Sequence, residues 1–370
     1  MERSGDPRLV CVAGEIIRMK SALTLAPRRW LAATLAFALV GASGSARATE
    51  TEGDFYRGKT LTFIVGAAAG AAYDLVGRAV AAHLRRHIPG EPAIVVQNMP
   101  GAASLVMVNH LYNRAPKDGT VFGLPLNGIL LEPRLHLYSD NGASVNFDLG
   151  RMGWIGSPSQ QPQVLWVRQT TPFKSFKDIQ VGKVTFGATS PSADNYILPL
   201  MLNRLLDTKI EIVTGYQAVN DIFLAAERGE IQGNTTPFST ITIGRPDDLA
   251  QGKIRVLAQF GAERLAKLAD VPTGLELTAD EGTRRVLDLY ALKFKSAFPI
   301  VLPPGVPSER VAVLQKAFDD TMRDADFLAT AARSGLDVSP TRGKDVEAII
   351  HAIESADQPT VDRLRQAISR

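Results

Sequence analysis

The stretch LTFIV, residues 61–65, is apolar or β-branched throughout and bounded by glycine, so it reads as a short buried strand. A loop of small residues, GAAAGAA, follows at once. Residues 74–86 then carry Leu75, Val76, Ala79, Val80 and Leu84 at helical spacing, and Pro89-Gly90 stops that helix. Residues 93–97 read as a second strand, NMPGA (98–102) as a turn into a helix through Tyr112, and PKDG (116–119) as a turn before a third strand at 120–124. Strand, helix, strand, helix, strand is the rhythm of a parallel sheet covered by helices, which confines the chain to an α/β fold.

The middle of the chain repeats this grammar. Residues 164–167, 184–187, 209–214 and 254–258 read as strands, and 195–206 and 218–227 as helices. Near the end, Ser308 is placed to N-cap a helix through about 322, and 344–356 and 361–368 have helical spacing. LPPGVP (302–307) is a stiff connector. With 370 residues the chain is long enough for two such units, and 45% hydrophobic against 21% charged residues is an ordinary globular balance.

The formal charge of +3 belongs to the first 48 residues. Lys20, Arg28 and Arg29 precede a short apolar run, WLAATLAFALV (30–40), and small residues then lead to Ala46-Arg47-Ala48. A basic start, an apolar run too short to span a bilayer and an A-x-A site predict a signal peptide cleaved near Ala48. Residues 1–18 make an awkward prefix to that leader, which points to a functional start at Met19. Removing residues 1–48 takes away seven Lys/Arg and three Asp/Glu, leaving 34 against 35, about −1. Neither nucleic acid nor an anionic membrane is then an expected partner. The only cysteine, Cys11, leaves with the leader, so no disulfide or thiol chemistry is expected in an exported, periplasmic product.

GDFYRGKT (53–60) satisfies the phosphate-loop pattern G-x-x-x-x-G-K-[ST]. Such a loop must follow a strand and open a helix, so that backbone N–H groups face the phosphates. Here the motif precedes the strand, close to the predicted mature start, and ATP is not expected to bind. The loop in the right place is the next one, Gly66 to Asp74, where small residues bring backbone N–H groups close to a ligand at a helix N-terminus. An ordinary strand–helix turn would look the same by spacing alone. A second loop of this kind, GATSPSADN (187–195), offers the hydroxyls of Thr189, Ser190 and Ser192; the simplest role for Asp194 is to cap the helix. Two such loops from two α/β units can face each other across a cleft, where small-molecule sites are commonly found.

The ordered set IVGAAAGAAYDLVGRAVA, IVVQNMPGAAS, RAPKDGT, FGATSPSADN, VTGYQAVNDIFLAAERGEIQG, GKIRVLAQF, LADVPTGLEL and PPGVPSERV resembles the Bug-type solute receptors of tripartite tricarboxylate transporters, over essentially the whole mature chain. That resemblance implies a two-lobed periplasmic binding protein, with a mostly parallel sheet flanked by helices in each lobe and a ligand cleft between them. It also implies a small organic carboxylate as ligand and a two-subunit membrane permease as partner. The carboxylate would be held largely through backbone N–H groups and waters, at Ala67, Ala68, Ala69, Gly70, Ala71, Tyr73 and Asp74 of the first loop and at Thr189, Ser190, Ser192 and Asp194 of the second. Tyr216 matches the aromatic of a Y-K-G-like segment, and residues 125–128, with Leu126 and Asn127, match a third loop. The chain lacks both prolines and the second glycine of the family's first loop, and it carries Tyr73 where a small residue is usual. Tyr73 is thus expected to shrink or re-line the pocket.

An enzyme would need a nucleophile, a base or a metal set. His83 and His87 stand four residues apart, but HLRRH lacks the glutamate of H-E-x-x-H and its arginines suggest a solvated face. No G-x-S-x-G elbow occurs. Asp118 reads as a turn residue, and Glu227 and Glu230 flank a helix end at Gly229. The reading is therefore a receptor with no cofactor, metal or catalytic residue. Lobe 1 is expected from 49–127 plus 259–370 and lobe 2 from 128–258, with crossings near 125–130 and 255–262 and few or no charged side chains required for binding. A periplasmic hydrolase on a similar fold and a carboxylate sensor acting through a signalling partner are the alternatives.

Overall fold

Alternating βα units bury a strand from both faces, and the strands gather into two sheets. The computed structural model describes residues 55–137 and 144–369. The expected leader, its cleavage point and the first two residues of GDFYRGKT lie outside them. The first sheet runs β11 (Thr341–Arg342), β4 (Gly153–Ser157), β10 (Ile300–Leu302), β3 (Val121–Leu124), β1 (Thr60–Val65) and β2 (Ala93–Asn98). The second runs β7 (Ile210–Thr214), β6 (Val184–Ala188), β8 (Gly233–Pro237), β5 (Gln163–Arg168) and β9 (Ile254–Phe260). Helices flank both, as the two-lobed α/β expectation requires.

Each sheet is parallel only in its βαβ half. β1 pairs in parallel with β2 and β3, and β6 with β7 and β8. The returning strands are antiparallel: β10 against β3 and β4, β11 against β4, and β5 against β8 and β9. β4 and β9, each two antiparallel pairings away, again run with the parallel strands, so the expectation of mostly parallel sheets holds, with β10, β11 and β5 reversed. The chain also leaves the first sheet later than the sequence suggested. β4, written GWIGS, pairs with β10, so the crossings fall at 158–162 and 261–299, not at 125–130. Two glycines in five residues hide that strand from a β-propensity reading.

This topology gathers the loops that follow the parallel strands. The loops after β1, β2 and β3 leave one edge of the first sheet, and the loops after β6, β7 and β8 leave one edge of the second. In α/β sheets, ligands bind outside the carboxyl ends of parallel strands.

The helices carry the apolar stripes that cover these sheets. In Ala72–Leu84, Val76, Val80 and Leu84 are buried, whereas Leu75 is exposed. The expected cap at Ser308 is displaced by one: Pro307 is the N-cap and Ser308 is the first residue of Ser308–Thr321. The C-terminal helix Gln358–Ile368 packs on both Glu281–Ala291 and Asp194–Leu206. One buried apolar cluster accordingly runs from Ile64 and Trp154 of the first sheet to Leu165 and Phe186 of the second. Among the described residues, no helix is long and apolar enough to cross a membrane.

Candidate functional site

The first loop is held open by Asp74, in the first turn of Ala72–Leu84 and 2% exposed. Its Oδ2 accepts from the Gly70 N–H at 2.8 Å and from Arg78 Nε at 3.0 Å. Its Oδ1 accepts from Asn98 Nδ2 at 2.9 Å and lies 3.0 Å from Arg78 Nη2. Asn98 Nδ2 also donates to the Ala67 carbonyl at 3.0 Å. The carboxylate is saturated by groups of its own fold, so Asp74 shapes the loop and has no oxygen left for a ligand. The Arg78 hydrogen bond is the largest influence on its pKa, lowered from 3.8 to about 2 against the opposing cost of burial. Gly70 sits at φ +80°, a left-handed conformation that this turn imposes and glycine adopts freely. The N–H groups of Ala67, Ala68 and Ala69 meet no acceptor among the described residues. The Ala71 N–H bonds the Ala68 carbonyl.

Ser104, fully buried, ties this loop to the third one. Its hydroxyl donates to the Gly66 carbonyl at 2.9 Å and accepts from the Leu126 N–H at 3.0 Å. The approach is close enough that a Cβ on Gly66 would lie 2.4 Å from Ser104 Oγ. The backbone reaches it through three successive non-glycine residues at positive φ: Ala102 (+42°), Ala103 (+50°) and Ser104 (+80°). Strain of this kind persists only where surrounding contacts enforce it, and it gathers at binding sites. Replacing Ser104 with alanine is expected to cost about 1–3 kcal/mol in denaturant unfolding, because the Leu126 N–H loses its acceptor in a buried place. An unchanged midpoint would show that the bridge is dispensable.

Tyr73 is neither an open wall nor a free donor. Its hydroxyl donates to the Ala297 carbonyl at 2.8 Å and accepts from the Asn127 N–H at 3.1 Å, while its ring packs on Phe298 at 4.8 Å. The Asn127 N–H of the third loop is thus already bonded to Tyr73. Asn127 continues the connection through Nδ2, 3.5 Å from the Lys293 carbonyl.

The second loop is organised like the first. Asn195, at the start of Asp194–Leu206, turns its Oδ1 back onto the Thr189 N–H at 3.2 Å and the Thr189 hydroxyl at 3.3 Å. Ser190 Oγ and Ser192 Oγ lie 3.2 Å apart. The helix N-cap is Ala193, not Asp194. The Asp194 carboxylate is drawn away instead: its Oδ1 accepts from Tyr290 Oη at 2.8 Å and from Lys293 Nζ at 2.5 Å. Lys293 is 5% exposed, and its ammonium also lies 4.1 Å from the centre of the Tyr290 ring. A Lys–Asp pair therefore joins the second loop to the segment that touches the third. Tyr216 is half-buried where a Cβ on Gly187 would meet its ring at 3.1 Å. Burial, with Glu230 adding, raises its pKa. Beyond the Phe186–Gly233 pair, β8 places Thr235 and Thr236 level with the start of the second loop. Their hydroxyls and Asn234 Nδ2 are buried with no partner among the described residues.

Sequence reasoning missed Ser104, Asn195, Tyr290 and Lys293. It named the three loops that they connect. The other motifs fall away. Lys59 rests 3.1 Å over the Phe55 ring and Thr60 begins β1, so the phosphate-loop match has no loop geometry. His87 Nε2 meets Asp324 Oδ2 at 2.8 Å and His83 Nδ1 meets Arg86 at 2.8 Å, so each ring has its own local partner.

Residues 76–364 match the family described as tripartite tricarboxylate transporter family receptor. The chain belongs to that family. It is a solute-binding receptor, and the family is one of binding proteins rather than enzymes. A Cupriavidus necator protein described as UPF0065 protein in gbd 5'region is 21% identical over 305 residues, covering 82% of this chain and 85% of that protein. The crystal structure of a TctC solute-binding protein from Polaromonas superposes with a TM-score of 0.64 at 17% identity, over 84% of this chain and all of the other. MatC from Rhodopseudomonas palustris with bound malate does so with a TM-score of 0.54 at 17% identity, over 84% of this chain and 99% of the other. At these identities the structures establish the two-lobed fold.

Proposed function

We propose that this receptor, exported to the periplasm, captures a small organic carboxylate between its two sheets and presents it to a two-subunit membrane permease. One observation carries the reading: the N–H groups of Ala67, Ala68 and Ala69, with no acceptor among the described residues, lie in the loop that leads into the N-terminus of the helix Ala72–Leu84. Oriented N–H groups and the positive end of the helix dipole favour an anion there without a dedicated cation. The lobes are then 55–157 with 300–369 and 163–260, moving about the crossings at 158–162 and 261–299. A ligand that touches both lobes binds the closed form more tightly, and that difference drives closure. The family supports the carboxylate, and the malate held by MatC is of that class.

A thermal-shift screen of the exported chain against mono-, di- and tricarboxylates tests this. A ligand at one hundred times its Kd should add about 2.7 kcal/mol of stability. If a nucleotide, a peptide or a cation shifts the midpoint and no carboxylate does, the reading fails.

A further inference from the structure

We propose that Asp194 sets the ligand class: a monocarboxylate whose far end carries a hydrogen-bond donor, hydroxyl or ammonium, in preference to a dicarboxylate. The inference rests on the carboxylate reading above. Asp194 is the first residue of the 13-residue helix Asp194–Leu206, where the helix dipole would otherwise draw an anion from solution. The chain has put its own carboxylate there. Asp194 Oδ1 takes Tyr290 Oη and Lys293 Nζ, while Oδ2 meets no donor among the described residues. The side chain is 29% exposed, so that oxygen can be reached from outside.

Lys293 cannot serve a ligand in its place. Its side chain is 6% exposed, and the rings of Tyr290 and Phe294 lie 4.1 and 5.2 Å from the ammonium. Asp194 is the counter-ion on the remaining side, so the buried cation is neutralised before any ligand arrives. A second ligand carboxylate brought to this loop meets the outer oxygen of a neutralised pair, so it gains neither a counter-ion nor a donor from it. A hydroxyl or an ammonium meets an acceptor instead, with the Ser190 and Ser192 hydroxyls beside it. The first loop keeps the N–H groups of Ala67, Ala68 and Ala69, which meet no acceptor among the described residues, for one carboxylate.

The test is calorimetry on the exported chain with three probes of equal length: 4-hydroxybutyrate, 4-aminobutyrate and succinate. The first two separate a neutral donor from an ammonium, and at least one should bind the wild type tenfold or more tighter than succinate. Asp194→Asn keeps the side-chain size and leaves Lys293 without its counter-ion. In that variant succinate should gain at least tenfold and the preference should narrow or reverse. The wild-type order stands on its own if the variant does not fold. Succinate binding the wild type as tightly as both other probes would overturn the proposal while leaving the carboxylate reading intact. If none of the three binds either protein, the proposal fails, and the carboxylate reading fails with it only if the wider thermal-shift screen finds no carboxylate either.

Discussion

Replacing Asp74 with alanine is expected to cost about 3 kcal/mol of stability and to weaken ligand binding at least a hundredfold. The carboxylate accepts from the Gly70 N–H, Asn98 and Arg78, and all three would be left without it. The energy is large because Asp74 is buried and its removal leaves donors unpaired at the base of the loop. Binding suffers for a different reason. The Gly70 N–H and, through Asn98, the Ala67 carbonyl would no longer fix the direction of the neighbouring N–H groups, and an anion site of backbone dipoles depends on that direction. Denaturant unfolding with calorimetry against the best-binding carboxylate measures both. Binding within threefold of wild type would show that the loop holds its shape without Asp74.

The same residue sets part of the acid response. Its pKa is lowered in the folded protein, from 3.8 to about 2, so the native state binds fewer protons than the unfolded chain between those values. Its contribution is complete above about 3.8 and is lost as pH falls through about 2. Arg78 is half exposed, and solvent screening holds that contribution to the order of 1–2 kcal/mol. Asp280 and Asp324 are also lowered to about 2, so acid unfolding is shared. The difference between wild type and Asp74→Ala isolates the share of Asp74, and it should shrink between pH 5 and pH 2.

The three loops were legible because each is a local signal: a strand, a run of small or hydroxyl residues, then a helix. The partners that give those loops chemistry were not. Asp194 meets Lys293 across 99 positions, and Tyr73 meets Ala297 across 224. Nothing in either neighbourhood announces the other. Lys293 in particular stands in LKFKS, which reads as a solvated basic segment until Tyr290, Phe294 and Asp194 enclose it. The capping role assigned to Asp194 had the same weakness. An acid beside a helix start is ordinarily a cap, and only a buried ammonium brought from elsewhere in the chain draws it off. The family resemblance carried the two-lobed architecture, whereas the crossing after β4 depended on a glycine-rich strand with no apolar pattern.

Gly233→Ala is expected to destabilise the protein by about 3 kcal/mol, lowering the melting midpoint by several degrees. β8 is written GNTTP, which a sequence reading passes over as a turn. It nevertheless lies between β5 and β6 in the second sheet, and its first residue pairs with Val167 on one side and Phe186 on the other. A Cβ on Gly233 would fall 2.2 Å from the Trp166 carbonyl oxygen and 2.8 Å from the Phe186 ring. The carbonyl belongs to the backbone of a central strand and cannot swing aside as a side-chain tip would, so the sheet itself must open. Composition misleads here because a strand held by neighbours on both edges need not supply its own apolar alternation; β5 and β6 supply it. The damage should also reach the binding site, since β8 carries Thr235 and Thr236 level with the second loop. Ligand affinity measured well below the melting midpoint should therefore fall along with stability. A variant that melts normally would mean that β8 is less tightly clamped than its register implies.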